Sequence, residues 1–281
     1  MSSPNHWKSR TVLVVAAAIV ATLMFVPYGW AAIYPFQLFN TFIHEAGHAI
    51  ATVATGGVVH EFVVNPDTSG HVMRRGGFTP LVASAGYLGS VIAGAALLYA
   101  GRKRKWARPT LLGLGAATLF VTAVFAGGGG MVMSLTAFAL YAAGLGILWF
   151  GKRQDECGKS QAKYVAFGAL VLVAAVVFSA LIGGLVASLV GIGMGAAAIF
   201  VGLYASRFVQ HLTVLVLGVK ISLDGLNSLA VLWNITGQGH DHNDAANMAE
   251  AVGMTPEFWA ITWALMSVAV IAGAFWMFWR R

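Results

Sequence analysis

The chain has 281 residues, 58% of them hydrophobic and only 10% charged, with a mean hydropathy of +0.77 and a net charge of +7. A water-soluble domain carries about 25% charged residues, so the composition excludes one and specifies an all-α polytopic membrane protein in contact with the lipid bilayer. The basic excess lies in short clusters between apolar runs, a pattern of membrane topology that argues against a nucleic-acid partner.

A spanning helix needs about 20 predominantly apolar residues. The first such run, near 11–34, follows Lys8 and Arg10; it reaches past Met24 to Pro35 and more spans follow, so a retained helix is expected rather than a signal peptide. The next segment, 36–55, is shorter, and Glu45 is its only Asp, Glu, Lys or Arg. It contains His44-Glu45-Ala46-Gly47-His48. Two imidazoles four residues apart share one helix face and can hold one metal ion. The neighbouring carboxylate suits a general base, the arrangement of zinc peptidases. Ionisable groups at membrane depth are costly and therefore mark function.

Residues 57–78 change character. Val58 to Val64, a turn at Asn65-Pro66-Asp67-Thr68-Ser69-Gly70, then His71-Val72-Met73 predict a β-hairpin. At membrane depth it must be shielded or line a wet cavity, and its position after the metal helix puts it at the mouth of the site. His60 and His71 are expected to be ordinary hairpin residues. Further spans are predicted near 79–100, 109–127, 131–150, 163–182, 184–205, 209–234 and 256–279. The total is about 8–9 apolar helices by the length rule, in a single integral membrane domain over 1–281. Gly127 to Gly130 and Gly183-Gly184 read as tight turns, and the 34 glycines suit close helix packing. The lone Cys157 has no intramolecular partner and reads as a free thiol in a polar loop.

The basic loops Arg102 to Arg108, Lys152 to Lys163, Arg207 and Arg280-Arg281 fall on one side if the later spans cross singly, and that side should be cytoplasmic. The Arg10 end joins them only if an even number of crossings separates it from Arg102. Three segments lie between, so either one fails to cross or the Arg10 end breaks the rule.

The ten acidic residues can be audited individually. Only Glu45 and Asp224 are embedded in apolar spans. Catalytic zinc typically has three protein ligands, and Asp224, in the 209–234 helix, is the natural third after His44 and His48. Asn227 shares its helix face and could bond the ligand carboxylate or a substrate carbonyl. Against this, Lys220 lies four residues before Asp224, so the two could form a buried structural ion pair. His240-Asp241-His242-Asn243-Asp244 is another possible metal cluster, although polar loop composition explains it more simply. His211 fits a satisfied core histidine.

From His44 to about Ser90 the chain resembles the site-2 protease family of intramembrane zinc metallopeptidases, particularly its small M50B-like branch. The residues concerned are His44 to Ala49, Thr55-Gly56-Gly57, the hairpin with Asn65-Pro66-Asp67 and Gly70, and Ala85-Gly86-Tyr87-Leu88-Gly89-Ser90. A second stretch, Leu223-Asp224-Gly225 through Asn243-Asp244-Ala245-Ala246, resembles the family's C-terminal acidic region, so that about a third of the chain is covered. The resemblance implies zinc on His44, His48 and an aspartate, with Glu45 as general base. It also implies cleavage of a membrane-embedded or juxtamembrane peptide bond in a membrane protein substrate. One departure stands out: the family commonly places an Asn-Pro pair ahead of its aspartate, whereas here no proline occurs between Pro109 and Pro256. Asp244 therefore competes with Asp224 as third ligand.

The resulting expectation is an intramembrane zinc metalloprotease, multi-pass in a bacterial plasma membrane. Its substrate must unwind before cleavage, and the exposed strand could then pair with an edge of the hairpin. The alternatives are a catalytically inactive, protease-like scaffold and an ion or metal transporter. No internal repeat of the transporter kind is evident.

Overall fold

The computed structural model describes residues 4–126, 131–156, 162–237 and 243–280. Among them are ten α-helices and one two-stranded antiparallel sheet: α1 (Pro4–Phe25), α2 (Gly29–Ala54), β1 (Val58–Val64), β2 (Gly70–Arg75), α3 (Thr79–Ala100), α4 (Ala107–Phe125), α5 (Met131–Glu156), α6 (Ala162–Leu181), α7 (Leu185–Tyr204), α8 (Arg207–Gly237), α9 (Asp244–Val252) and α10 (Pro256–Trp279). Seven of the helices are each long and apolar enough to cross a membrane, and α1 with α2 forms a bent pair that could supply an eighth. The helical, multi-pass class expected from composition is thus the observed one, with the hairpin directly after the helix that carries His44 and His48.

Boundaries differ from the apolar runs in an instructive place. The run 11–34 breaks at Val26–Tyr28, where Tyr28 takes a left-handed φ of 62°, and the chain turns by 113° into α2. Helix α2, which carries His44 and His48, therefore begins before residue 36 and accommodates Pro35 within it. The polar stretch after α8, which has no spanning character, contains the short helix α9, capped by the Asn243 side chain accepting from Ala246 N at 3.0 Å. The turn at Gly183-Gly184 is present, with Gly183 at φ 74°; that at Gly127–Gly130 lies outside the described residues.

In lipid the apolar effect does not pull helices together, so packing and close backbone approach must do so. Gly47 of α2 meets α3 where a Cβ would strike the Ala85 carbonyl oxygen, and a Cβ on Gly115 of α4 would lie 2.6 Å from the Gly195 oxygen of α7. Two smaller cores mark the two ends of the bundle. One joins Val12, Leu13 and Ala16 of α1 to Leu98 of α3, Leu215 of α8 and Phe278 of α10. The other joins Ala83 at the start of α3 to Leu229 and Leu232 late in α8, Ala245 and Met248 of α9, and Trp263 of α10.

The hairpin folds back along α2. Tyr34 Oη donates to the Pro66 carbonyl at 2.5 Å and Thr41 Oγ1 to the Thr68 carbonyl at 2.6 Å, while Phe62 and Val64 of β1 enter the main core. A register shift between Val59 and Glu61 bends β1.

Replacing Gly47 by Val should force α2 and α3 apart. We expect a loss of about 1–3 kcal/mol, read as a lower unfolding temperature of the detergent-solubilised protein.

Candidate metal centre

His44 and His48 lie one turn apart on α2, with their Nε2 atoms 3.0 Å from each other. The Nδ1–H of His48 donates to the Val82 carbonyl at 2.7 Å. This bond fixes the ring and leaves the Nε2 lone pair of the neutral imidazole aimed at its neighbour, the orientation a metal-binding histidine requires. Asp244, in the first turn of α9, brings Oδ2 to 3.1 Å from His48 Nε2 and 3.6 Å from His44 Nε2. Among the described residues these three side chains are the one group of three or more His, Cys, Asp or Glu able to hold a metal ion, with all ligand atoms within 4.8 Å of one another.

The donor set suits zinc. Tetrahedral bonds of about 2.0–2.1 Å place ligand atoms roughly 3.3–3.4 Å apart, close to the observed separations. The backbone of α3 makes room at the same point: a Cβ on Gly86 would collide with His48 Nε2 and lie 2.5 Å from His44 Nε2. Burial works against charge on Asp244, but the facing His48 and His44 hold its carboxyl below the usual carboxylate range.

Glu45 is 4% exposed and sits under the start of β2, where a Cβ on Gly70 would come within 2.7 Å of Glu45 Oε1. Tyr87 presents an edge-to-face contact to His44, with centroids 4.5 Å apart, and stacks on Trp263 at 5.5 Å. Trp263 Nε1 in turn donates to Ser84 Oγ at 3.1 Å. A cavity of about 310 Å³ joins His44, Glu45, His48 and Asp244 to Gly70, Val72 and Arg74 of β2, and to Tyr87 and Asn247.

The structure brings His44, Glu45, His48 and Asp244 together and leaves Asp224 and Asn227 apart. Asp224 accepts from Lys220 Nζ along α8, so the expectation that it would meet the histidines is corrected in favour of Asp244. The physical reason is that the opposite charge one turn away on the same helix is the nearest compensation for a carboxylate in a span. Asn227 is exposed on α8 and is not among the cavity's lining residues. His240 to His242 lie outside the described residues. His71, expected to be an ordinary hairpin residue, reaches the cavity rim and lies 3.8 Å from Glu61, both side chains being about half exposed. His211 is the satisfied core histidine expected, its Nε2 donating to the Gly101 carbonyl at 2.7 Å.

Sequence reasoning did not single out Tyr87, Arg74, Asn247 or the Val82 carbonyl. For Asn247 a signal existed, since it stands three residues after Asp244 on one helix face. Nothing local marks a main-chain carbonyl as a partner.

Fold and site together define a multi-pass membrane protein with a cluster of two histidines and an aspartate, able to hold a metal ion, at one end of its helix bundle. A family model described as Peptidase M50B-like matches residues 14–157 and 143–274. The chain belongs to this M50B-like peptidase family. Comparison with curated proteins and with solved structures gives no match.

Gly86→Ala should fill the space at the two Nε2 atoms. We expect it to abolish metal uptake, measured by elemental analysis, while the helical circular-dichroism signal is retained.

Proposed function

We propose that this protein is an intramembrane zinc metalloprotease that hydrolyses peptide bonds of membrane-embedded or juxtamembrane substrates. The observation that carries this reading is the convergence of two Nε2 atoms and the Asp244 carboxylate beside buried Glu45 in one cavity.

In this reading His44, His48 and Asp244 would hold the zinc ion. Bound zinc would supply Lewis-acid polarisation of the scissile carbonyl and of water. Glu45 takes the proton of the attacking water and delivers it to the leaving amine, work that contributes about 10²–10⁴ in rate. The Val82 carbonyl holds His48 in position, and Tyr87 packs His44 from the side. An unwound substrate segment needs partners for its backbone. Gly70 to Val72 and Arg74 of β2 line the cavity, whereas Phe62 and Val64 of β1 are buried in the core, so β2 is the strand that would receive it.

Zinc analysis tests the ligand set. One zinc per chain should disappear with His44→Ala and Asp244→Ala and persist with Asp224→Ala; loss with Asp224→Ala and retention with Asp244→Ala would return the third place to Asp224. Glu45→Gln should keep its zinc and lose about 100- to 10,000-fold in cleavage rate. A photo-crosslinker at Val72 in the Glu45→Gln protein should capture substrate. Capture only from β1 positions would remove β2 from the docking role.

A further inference from the structure

We propose that the cavity opens on the extracytoplasmic face of the membrane, so that its substrates are membrane proteins presenting a cleavable segment on that side. The substrate half of this statement rests on the protease reading; the orientation does not.

The argument begins with which helix ends lie together. Arg10 Nη2 donates to the Trp279 carbonyl at 2.6 Å, so the start of α1 meets the end of α10. His211 in the first turns of α8 bonds the Gly101 carbonyl just after α3. The core that contains Val12, Leu98, Leu215 and Phe278 belongs to the same end. At the opposite end the start of α3, the late turns of α8, α9 and the start of α10 share the core around Trp263. The Ser188 hydroxyl donates to the Ala126 carbonyl at 2.9 Å, pairing the start of α7 with the end of α4. The metal cluster lies at this second end, through Val82 and Gly86 of α3 and Asp244 of α9.

The crossings then count consistently. Because α1 and α2 are bent by 113° and α3 starts at the site end, the two together make one net traverse. The parity conflict seen in the sequence disappears. Arg10, Arg102 to Lys105, Arg108, the end of α5 with Lys152 and Arg153, the start of α6 with Lys163, Arg207 and Arg280 all fall at the end away from the site. The site end carries Arg74 and Arg75 against Glu61, Asp67, Asp244, Glu250 and Glu257. Lys and Arg in short connections face the cytoplasm, which leaves the catalytic end outside.

The native Cys157 lies outside the described residues but follows directly on Glu156, the last residue of α5, and supplies one probe. In intact bacterial cells a membrane-impermeant maleimide should leave it unlabelled until the membrane is permeabilised. In a Cys157→Ser background, Arg75→Cys and Ala251→Cys, both at exposed positions of the site end, should be labelled before permeabilisation. The reversed pattern overturns the orientation. Should the cysteine variants fail to accumulate, a reporter fused after Arg281 decides: fluorescent green fluorescent protein with inactive alkaline phosphatase is expected, and active phosphatase there overturns it. Labelling needs no turnover. A protein that labels as expected but cleaves nothing keeps its orientation and sinks the protease reading; a cleaving enzyme with the reversed pattern does the opposite.

Discussion

The close crossing of α2 and α3 is the contact on which the candidate metal centre depends. Gly47 and the Ala85-Gly86 backbone meet without intervening side chains, which carries the Val82 carbonyl to His48 Nδ1 and clears space at both Nε2 atoms. A wider separation would leave a membrane-depth histidine without its acceptor and its ring free to rotate, and helices in lipid have no apolar driving force to restore the contact. Small residues here therefore serve the placing of the two imidazoles as well as packing. The aromatic column of His44, Tyr87 and Trp263 extends that geometry to α10, so that three helices share in placing one imidazole.

A second constraint shapes the hairpin. Irregular backbone near a membrane is tolerated only where protein or a wet cavity satisfies it. The turn carbonyls of Pro66 and Thr68 take hydroxyl bonds from Tyr34 and Thr41, the Asp67 carboxylate accepts from Ser69, and Thr55 Oγ1 accepts from Phe78 N as the chain leaves the sheet. With Phe62 and Val64 of β1 buried in the core, the cavity-facing residues of the sheet come from β2. The same bonds that make the hairpin tolerable thus hold it over Glu45.

The two candidate aspartates show how burial and partnership separate roles. Asp224 sits within a span, which argued for function, yet its charge is met by Lys220 on its own helix. Asp244 lies in a polar stretch whose composition suggested a loop, yet α9 folds there and docks through Ala245 and Met248 onto α3, α8 and α10. Helix α9 lends its first turn to the site because Asn243 caps it and its apolar face is anchored.

Much of this was legible in one dimension. The apolar runs follow from bilayer thickness, and the hairpin from its turn residues. The His44–Glu45–His48 unit follows from helical periodicity, because each of these signals depends on neighbours within a few residues. The break at Tyr28, the docking of α9, the meeting of Asp244 rather than Asp224 with the two histidines and the Val82 carbonyl under His48 were decided by tertiary structure alone. They depend on contacts between segments far apart in sequence, where residue type states a need for a partner but only packing determines which partner arrives.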